Sequence, residues 1–493
     1  MESPAVAAVT LRRGALKAHD IVFFVVAAAA PLTVMVAVAP IALLIGGVGS
    51  PAGYLAAGLV NAVFAVGFTR MAKYIHNNGA FYSYIRRGLG RLAGLGSALV
   101  ALVSYNLLQL STYGVFGAIT SGTIDQFFGV SVPWWACSLL ALVVVAFLGY
   151  RSVSIGAKVL GVLLVLEVLV LVVLAVAVVA EGGATGLTLE PLAPQHVFTG
   201  SMGAVLAVAF AAFVGFEATA LYRGEAQDPD RSVPRATYVA VGFLLVFYAF
   251  IVWIAVMAYG IENVIAAAAT DPSGFFFTAM EQYVGTLGAD VMRVLTVTSG
   301  LAALLAFHNA ITRYGHALGR EMVLPFRLCS VHPRHGSPFV ASIVQSCFAA
   351  VVVTAFALSG ADPILQMAAW TASAGTLAIL ALQALTSVSV ARFFLSGEGA
   401  HKDPLAAASG ALAAVLLFSA VWLVLRHIDL ATLTSNVAVN VIVAAIPVVV
   451  FLAGVLYGRW IRSNKPGVYD NLGTTDVDGA LEQVTPASES TLR

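Results

Sequence analysis

The sequence predicts an all-α integral membrane protein that crosses the bilayer twelve times. Of its 493 residues, 60% are hydrophobic and only 10% are charged, whereas about 25% of the residues of a soluble domain are charged. Apolar stretches of about 20 residues, the length that a helix needs to cross the hydrocarbon core, recur along the chain. The basic residues cluster in every second connection between these stretches, which supports the number of crossings.

The predicted spans follow one another with short connections. The first is longer than the apolar region of a cleavable signal peptide, so we expect it to remain as a membrane span. The twelve spans are 21–46, 52–72, 91–118, 132–149, 155–180, 199–222, 236–258, 290–314, 338–359, 365–392, 405–425 and 437–458. We expect residues 1–20 to form a short cytoplasmic segment and the polar residues 463–493 to form a disordered cytoplasmic tail.

The distribution of basic residues predicts the orientation. If the N-terminus is cytoplasmic, every Lys and Arg except Arg293 and Arg426 lies at the cytoplasmic side. This is the bias that cytoplasmic loops show, and removing one span from the count would scramble it. Both termini are then cytoplasmic. We interpret Arg313, Arg320 and Arg327 as residues that set topology and contact lipid headgroups, rather than as a site for anionic substrates.

Several classes of function lack their sequence signals. The three cysteines and nine histidines show no spacing typical of a metal site or a disulfide framework, and the formal net charge is only +1. Paired acids, a nucleophile motif, a charged pore ring and a filter-like repeat are also missing. The sequence therefore predicts no enzyme, no metal or cofactor and no nucleic-acid partner, and it disfavours a channel.

Two predicted spans contain signals that break a helix. Span 1 contains Pro31, and a proline inside a helix removes a backbone hydrogen bond and clashes with the preceding turn. Span 6 contains Gly215 followed by Glu217, and a carboxylate inside a span is a functional hypothesis by default. Each feature alone also fits a simple kink. Spans 1 and 6 lie five apart, however, so their breaks run in opposite directions through the membrane.

Such a pair of interrupted helices in corresponding positions of two halves indicates a binding site near the bilayer midplane. The N-terminus of a half-helix offers N–H groups to a carboxylate, and the exposed carbonyl groups accept hydrogen bonds from an ammonium group. A zwitterionic amino acid suits this combination.

Three segments, in this order, resemble the amino acid–polyamine–organocation (APC) superfamily of permeases. They are NGAFYSYIRRGLGRLAGL at 78–95, FAAFVGFEATALYRGEAQDPDRSVPRA at 210–236 and ALGREMVLPFRLCSVHPRHGSPFVAS at 317–342. The resemblance covers about residues 15–460. It implies the leucine-transporter-type fold, in which two inverted five-helix repeats, here 21–180 and 199–392, are followed by two further helices, here 405–458.

The resemblance also implies the residues of the substrate site. The family usually has a glycine-rich run at the break of span 1, where this chain has AAAAPLT, so Pro31 takes over the break. Tyr105 either covers the site or packs as a hydrogen-bonded core tyrosine. The implied substrate-binding residues are Ala29, Ala30, Pro31, Leu32, Thr33, Tyr105, Phe213, Gly215, Phe216 and Phe307. We expect His308, beside Phe307, to be a packed or hydrogen-bonded core histidine rather than a proton carrier.

Glu167 is the predicted coupling residue. It lies about 12 residues into span 5, which is roughly 18 Å along the helix and close to the middle of the hydrocarbon core. Some proton-coupled relatives in the superfamily have a lysine at the aligned position, so their mechanism does not transfer to a glutamate. Glu167 could take up a proton or bind a sodium ion, as could Glu217 in span 6. The alternative is a neutral glutamic acid that bonds to span 1 or 8, and Lys158 is a weaker candidate for coupling.

The sequence thus predicts a secondary active transporter that moves an amino acid across the cytoplasmic membrane by alternating access, coupled to a proton or another cation. Two alternatives remain open at this stage. The first is a permease for polyamines or other organic amines, which acidic side chains at the pocket would favour. The second is a transporter-like sensor that binds an amino acid without moving it.

Overall fold

The computed structural model describes residues 14, 16–75, 79–151, 153–199, 202–396 and 402–473, without the side chains of 152–160. These residues form helices and turns, and the one β-bridge among them joins Leu16 to Ala226. Most of the predicted N-terminal segment, the Lys158 side chain and residues 474–493 of the predicted tail lie outside this description. The all-helical fold class is confirmed for the described residues.

Nineteen α-helices are found in the described residues. They are α1 (Ala18–Ala29), α2 (Pro31–Gly46), α3 (Ser50–Ala72), α4 (Phe81–Leu89), α5 (Arg91–Phe128), α6 (Trp134–Arg151), α7 (Val153–Glu181), α8 (Pro194–Val197), α9 (Met202–Ala212), α10 (Pro229–Tyr259), α11 (Val264–Thr270), α12 (Phe275–Tyr283), α13 (Thr286–Arg320), α14 (Phe339–Leu358), α15 (Ala369–Ser396), α16 (Pro404–Arg426), α17 (Ile428–Ala431), α18 (Val437–Asn464) and α19 (Pro466–Asp470). Short 3₁₀ helices occupy Gly47–Gly49, Glu190–Leu192, Phe216–Glu225 and Phe326–Cys329, and a π-helical turn occupies Pro363–Ala368.

Eleven helical stretches of the described residues are long and apolar enough to cross a membrane. The first, Ala18–Ala72, has 55 residues and covers the first two predicted spans. A helix of that length measures about 80 Å, against a hydrocarbon core of ~30 Å. The stretch is interrupted at Ala30 and again at Gly47–Gly49, where α2 ends and α3 begins. It is therefore long enough for two crossings.

The helices divide into a buried centre and a periphery. The broken helices α1, α2 and α9 pack against α10, α13 and α3, and α5 contacts α13, α15 and α18. Helices α6, α14, α16 and α18 carry exposed apolar side chains such as Leu140, Val351, Val415 and Leu452. A soluble protein would not expose so many large apolar side chains, so these faces are suited to lipid.

One end of the bundle carries a concentration of arginines, and we call it the basic face; its arginines are Arg70, Arg86, Arg87, Arg91, Arg223 and Arg392. Arg70 forms an ion pair with Asp403 at 2.5 Å, and Arg223 donates to the carbonyl oxygen of Ala72 at 3.3 Å and to Asp230 at 2.8 Å. The chain near the N-terminus is also held at this end. The Leu16 amide donates to the carbonyl of Glu225 at 3.0 Å.

The prediction of a disordered tail from residue 463 is wrong for residues 463–473. Helix α18 continues to Asn464, α19 follows, and Leu472 is fully buried. Arg91 donates to the side chain of Asp470 at 3.1 Å and to its carbonyl oxygen at 2.9 Å. The segment is polar in composition, so hydropathy does not reveal it. Its contacts come from residues far away in the sequence.

Glycines allow α5 and α18 to approach each other closely. A Cβ atom added at Gly454 of α18 would lie 2.8 Å from the Cα atom of Gly96 and 2.9 Å from the carbonyl oxygen of Leu95. Both neighbours are backbone atoms, so neither can move without moving α5. Small residues at a helix interface are a recurrent means of close packing in membranes.

We therefore predict that Gly454→Ala separates α18 from α5 and destabilises the protein by about 1–3 kcal/mol, the usual cost of overpacking. The measurement is the melting temperature of the detergent-purified protein, which should fall by several degrees. Gly122→Ala in α5 is the matched control, because a Cβ atom there meets nothing within 4 Å. Equal melting temperatures for the two variants would contradict this account of the interface.

Candidate functional site

The break in the first predicted span lies at Ala30. Helix α1 ends at Ala29, α2 begins at Pro31, and Ala30 between them has φ 42° and ψ 67°. A residue other than glycine in this left-handed region is strained by roughly 1–3 kcal/mol, so the surroundings must hold it there. Pro31 occupies the first position of α2, where its missing N–H costs nothing. The interruption lies beside Pro31, as the sequence predicted, but it is confined to Ala30, and residues 31–33 are helical.

The break in the sixth predicted span lies at 213–215. Helix α9 ends at Ala212, and the 3₁₀ helix Phe216–Glu225 begins after Gly215, whose φ is 121°. A Cβ atom at Gly215 would lie 3.3 Å from the Cβ of Ala28, beside the first break. The backbone angle therefore favours glycine, and the close approach to Ala28 leaves little room for a side chain. The interruption lies at Gly215, as the sequence predicted, while Phe216 and Glu217 already belong to the 3₁₀ helix.

The two broken segments lie side by side and run in opposite directions. Helix α1, the first half of the first segment, contacts the 3₁₀ helix Phe216–Glu225, which is the second half of the other. Helix α2 in turn contacts α9. This exchange of halves is what an antiparallel pair of interrupted helices requires, and it brings both breaks to one place in the interior.

Tyr248 of α10 binds a carbonyl group that the first break leaves free. Its hydroxyl donates to the carbonyl oxygen of Ala29 at 3.0 Å. The ring meets those of Phe213 and Tyr54 edge to face, with centroids 5.6 and 6.3 Å away. Tyr248 thus bonds to one break through its hydroxyl and packs against the other through its ring.

Glu167 of α7 binds the amide end of the same break. Glu167 is 1% exposed. Its Oε2 atom accepts hydrogen bonds from the Leu32 amide at 3.4 Å and from the Ser299 hydroxyl. Leu32 belongs to α2 and Ser299 to α13, so Glu167 connects span 1 to span 8. Its other oxygen, Oε1, has no hydrogen-bond partner among the described residues.

Glu217 has the same relation to the second break. The residue is fully buried, and its Oε2 atom accepts a hydrogen bond from the Gly215 amide at 3.0 Å. Its Oε1 atom accepts from the hydroxyl of Tyr105 at 3.2 Å. Tyr105 is therefore connected to the break of span 6 through Glu217.

Carboxylates of the chain itself thus accept hydrogen bonds from backbone amide groups at both breaks. Glu167 caps the start of α2 and Glu217 caps the start of the 3₁₀ helix, the ends at which unpaired N–H groups and the helix dipole favour negative charge. The carboxylate of a zwitterionic ligand would have to displace one of them or use the remaining amides. A cationic group, in contrast, would meet two acidic side chains.

Phe307 lies on α13, the helix that also carries Ser299 and Tyr314. Phe307 is buried. It follows Ser299, which bonds to Glu167, by eight residues. It precedes Tyr314 by seven residues, and the ring centroid of Tyr314 lies 6.4 Å from that of Tyr105. Residues seven apart share a helix face, so Phe307 and Tyr314 point the same way. His308 points elsewhere and bonds to the Ser342 hydroxyl at 2.8 Å, as expected of a hydrogen-bonded core histidine.

The expectation that Arg313 contacts lipid headgroups is wrong. The residue is only 2% exposed, and its Nε donates to Glu225 at 2.6 Å while its Nη2 donates to the same carboxylate at 3.3 Å. Its guanidinium also lies over the ring of Tyr222, 4.9 Å from the centroid. The positive-inside rule assigns an arginine to one side of the membrane. It does not say whether the arginine is buried in an ion pair with a carboxylate from another part of the chain.

A protein-family model described as "Amino acid permease" matches residues 20–467. The chain belongs to the amino acid permease family. This is a family of transporters rather than enzymes, and the match agrees with the three segments that suggested the superfamily.

Relatives of this family member are distant. An uncharacterized transporter of Mycobacterium tuberculosis is 25% identical over 324 residues, which are 63% of this chain and 67% of the relative. The histidine permease HisP of Lactococcus lactis is 24% identical over 58% of this chain and 61% of its own length. The lysine-specific permease LysP of the same organism is 24% identical, with 62% of each chain covered. The match thus spans less than two thirds of each of these two permeases.

The sequence analysis of this permease did not identify four residues that contact the breaks or the buried Arg313: Thr296, Ser299, Tyr248 and Glu225. Ser299 follows Thr296 at helical spacing in span 8, and Thr296 accepts a hydrogen bond from Thr33 at 3.4 Å through its carbonyl oxygen. That polar stripe is a signal that could have been used. Tyr248 is one hydroxyl in an aromatic run, and Glu225 lies at the end of a span, where an acidic residue is ordinary. Neither carries a local signal.

We predict that Arg313→Met destabilises the protein by about 3–5 kcal/mol, because removal of one partner leaves the Glu225 carboxylate buried and unpaired. The double variant Arg313→Met/Glu225→Gln should recover most of the lost stability, since neither position then carries a buried charge. Melting temperatures of the four proteins in a double-mutant cycle measure the interaction. Additive effects of the two substitutions would contradict a direct pair.

Proposed function

We propose that the protein is a secondary active transporter that moves an amino acid across the cytoplasmic membrane by alternating access. The observation that supports this most is the antiparallel pair of broken helices, with both breaks buried at one place and lined by polar groups. Discontinuous helices of this kind form substrate sites near the midplane in transporters built from inverted repeats. Membership of a permease family supports the same conclusion.

The proposed architecture has twelve spans, because the stretch Ala18–Ala72 is long enough to cross twice. The first repeat comprises 21–180, the second 199–392, and 405–458 contributes the last two spans. The basic face lies in the cytoplasm together with both termini, as the bias of Lys and Arg supports.

The proposed substrate site consists of both breaks and the aromatic residues beside them. The backbone at the breaks and the hydroxyl of Tyr105 supply polar contacts, while Phe307 packs on the apolar part of the substrate. The residues are Ala29, Ala30, Pro31, Leu32, Thr33, Tyr105, Phe213, Gly215, Phe216 and Phe307. Two relatives are named as permeases for histidine and for lysine, which supports an amino acid as the substrate.

A second candidate is an organic-amine permease. Glu167 and Glu217 already cap amides at the breaks, which favours a substrate that brings positive charge and no carboxylate. Competition distinguishes the two candidates. Uptake of a labelled substrate is measured in the presence of an excess of unlabelled lysine, leucine or putrescine, one at a time. If only putrescine inhibits uptake, the protein is an amine permease.

We propose Glu167 as the coupling residue and Glu217 as a second site for a proton. A proton or a sodium ion at Glu167 would use the Oε1 atom, which has no partner among the described residues. The contacts with Leu32 and Ser299 also support the alternative role, in which Glu167 only ties span 5 to spans 1 and 8. Transport measurements, rather than stability, separate the two roles.

The central test is uptake of labelled amino acids into proteoliposomes, which a sensor without transport activity would not support. Gly215→Leu should abolish uptake and ligand-induced thermal stabilisation, because the side chain would enter the space beside Ala28 at a backbone angle that favours glycine. Gly242→Leu is the matched control, since its Cβ atom has open space around it. Wild-type uptake by the inserted Gly215→Leu protein would exclude span 6 from the site.

Glu167→Gln tests coupling in the same proteoliposomes. The amide keeps the shape of the side chain but cannot take up the proton or bring the negative charge, so accumulation driven by pH or sodium should be lost while substrate exchange survives. Glu181→Gln, at the exposed end of the same helix, should behave as the wild type. Unchanged accumulation with unchanged pH and sodium dependence in Glu167→Gln would rule out coupling at this residue.

A further inference from the structure

A cavity with a volume of about 220 Å³ lies on the basic face, away from the helix breaks. It is formed where α4 meets the end of α15. Its lining consists of Arg86, Arg87, Gly88, Leu89, Gly90, Arg392, Phe393 and Ser396. Three arginines and one serine therefore line one concave surface.

These arginines differ from others on the basic face because no carboxylate neutralises them directly. Arg70, Arg91 and Arg223 each have an ion-pair partner. Within the described part of the chain, Arg86, Arg87 and Arg392 have no carboxylate within 4.0 Å. The cavity therefore carries a net positive charge.

Contacts within the protein hold two of the groups in place. The Arg87 guanidinium lies over the ring of Phe393, 5.6 Å from its centroid, although Arg87 itself is exposed. Arg86 donates through Nη1 to the carbonyl oxygen of Gly473 at 3.1 Å, and its buried Nε has no partner among the described residues. Burial lowers the pKa of the Arg86 guanidinium, and the nearby Tyr82 and Glu321 only partly oppose this effect.

The first turn of α5 adds to the positive potential. This helix is 38 residues long, it starts at Arg91, and no side chain among the described residues caps its N-terminus. Gly90, which precedes it and lines the cavity, has φ 96° and open space where a side chain would be. The N–H groups of that turn are free of partners within the helix. They favour an anion at the same place as the arginines.

We propose that this cavity binds the phosphate group of an anionic phospholipid headgroup. Arginine matches phosphate because its planar group can donate two parallel hydrogen bonds to phosphate oxygens. The position at the end of the membrane-spanning helix α15 supports a lipid as the source of the phosphate. Leu395, next to Ser396 in the lining, is 71% exposed and offers an apolar contact for an acyl chain.

The test measures the melting temperature of the detergent-purified protein at matched ionic strength. The probes are dioctanoyl-phosphatidylglycerol, dioctanoyl-phosphatidylcholine and inorganic phosphate. Phosphatidylglycerol should raise the melting temperature, because a ligand that binds the folded state stabilises it by mass action. Phosphatidylcholine should have a much smaller effect. The double variant Arg87→Gln/Arg392→Gln should lose most of the shift, and both side chains are exposed, so folding is preserved.

Arg334→Gln is the matched control, because Arg334 is an exposed arginine that does not line the cavity. This variant should keep the full shift. An equal shift with phosphatidylglycerol in the double variant and the wild type would overturn the site. A shift with inorganic phosphate as large as that with phosphatidylglycerol, and lost in the double variant, would support an anion site but overturn the lipid as its source. None of these outcomes depends on transport activity.

Discussion

A helix that is interrupted in an apolar interior must find partners for its freed backbone groups, and the rest of this structure depends on that constraint. The Ala29 carbonyl is bonded by Tyr248 and the Leu32 amide by Glu167. The Gly215 amide is bonded by Glu217 from its own segment, and Tyr105 fixes that carboxylate. The partners come from α10, α7 and α5. Those helices must therefore surround the breaks, which places the breaks in the centre of the bundle, while α6, α14, α16, α18 and the outer face of α7 expose apolar side chains suited to lipid.

The use of carboxylates as partners has an electrostatic consequence. Neither Glu167 nor Glu217 has an ion-pair partner within the described part of the chain, and both are buried. A buried charge without a counter-charge is costly, so each group requires a cation or a proton. Arg313 shows the contrast, since Glu225 beside it is paired through two hydrogen bonds. The paired carboxylate lies toward the basic face and the unpaired carboxylates lie at the breaks. This asymmetry is the physical reason for proposing that cations bind at the breaks rather than elsewhere.

The sequence predicted what local signals encode. Pro31, and Gly215 followed by Glu217, predicted helix breaks where the structure has them, at Ala30 and at 213–215. A glutamate in an apolar run predicted that Glu167 is buried. Partners from distant helices carry no such signal, so Tyr248 and the burial of Arg313 could not be read from hydropathy or charge. Helix ends were also missed, because helices continue beyond the apolar window; the helix at 290–314, for example, extends over Thr286–Arg320. The prediction of a disordered tail was wrong for residues 463–473 for the same reason as the prediction for Arg313, because the contacts come from distant parts of the sequence.

The 3₁₀ helix Phe216–Glu225 links the breaks to the basic face. Ten residues of 3₁₀ helix measure about 20 Å, whereas ten residues of α-helix measure about 15 Å. Runs of this length are uncommon, and they are found at hinges or where a segment is under strain. A buried carboxylate lies near each end, with Glu217 bonded to Tyr105 and Glu225 to Arg313. Conversion of this segment to an α-helix would shorten it by about 5 Å, so at least one carboxylate would have to leave its partner. Because Tyr105 belongs to α5 and Arg313 to α13, this one segment joins the contacts at the break of span 6 to the buried pair of Arg313 and Glu225.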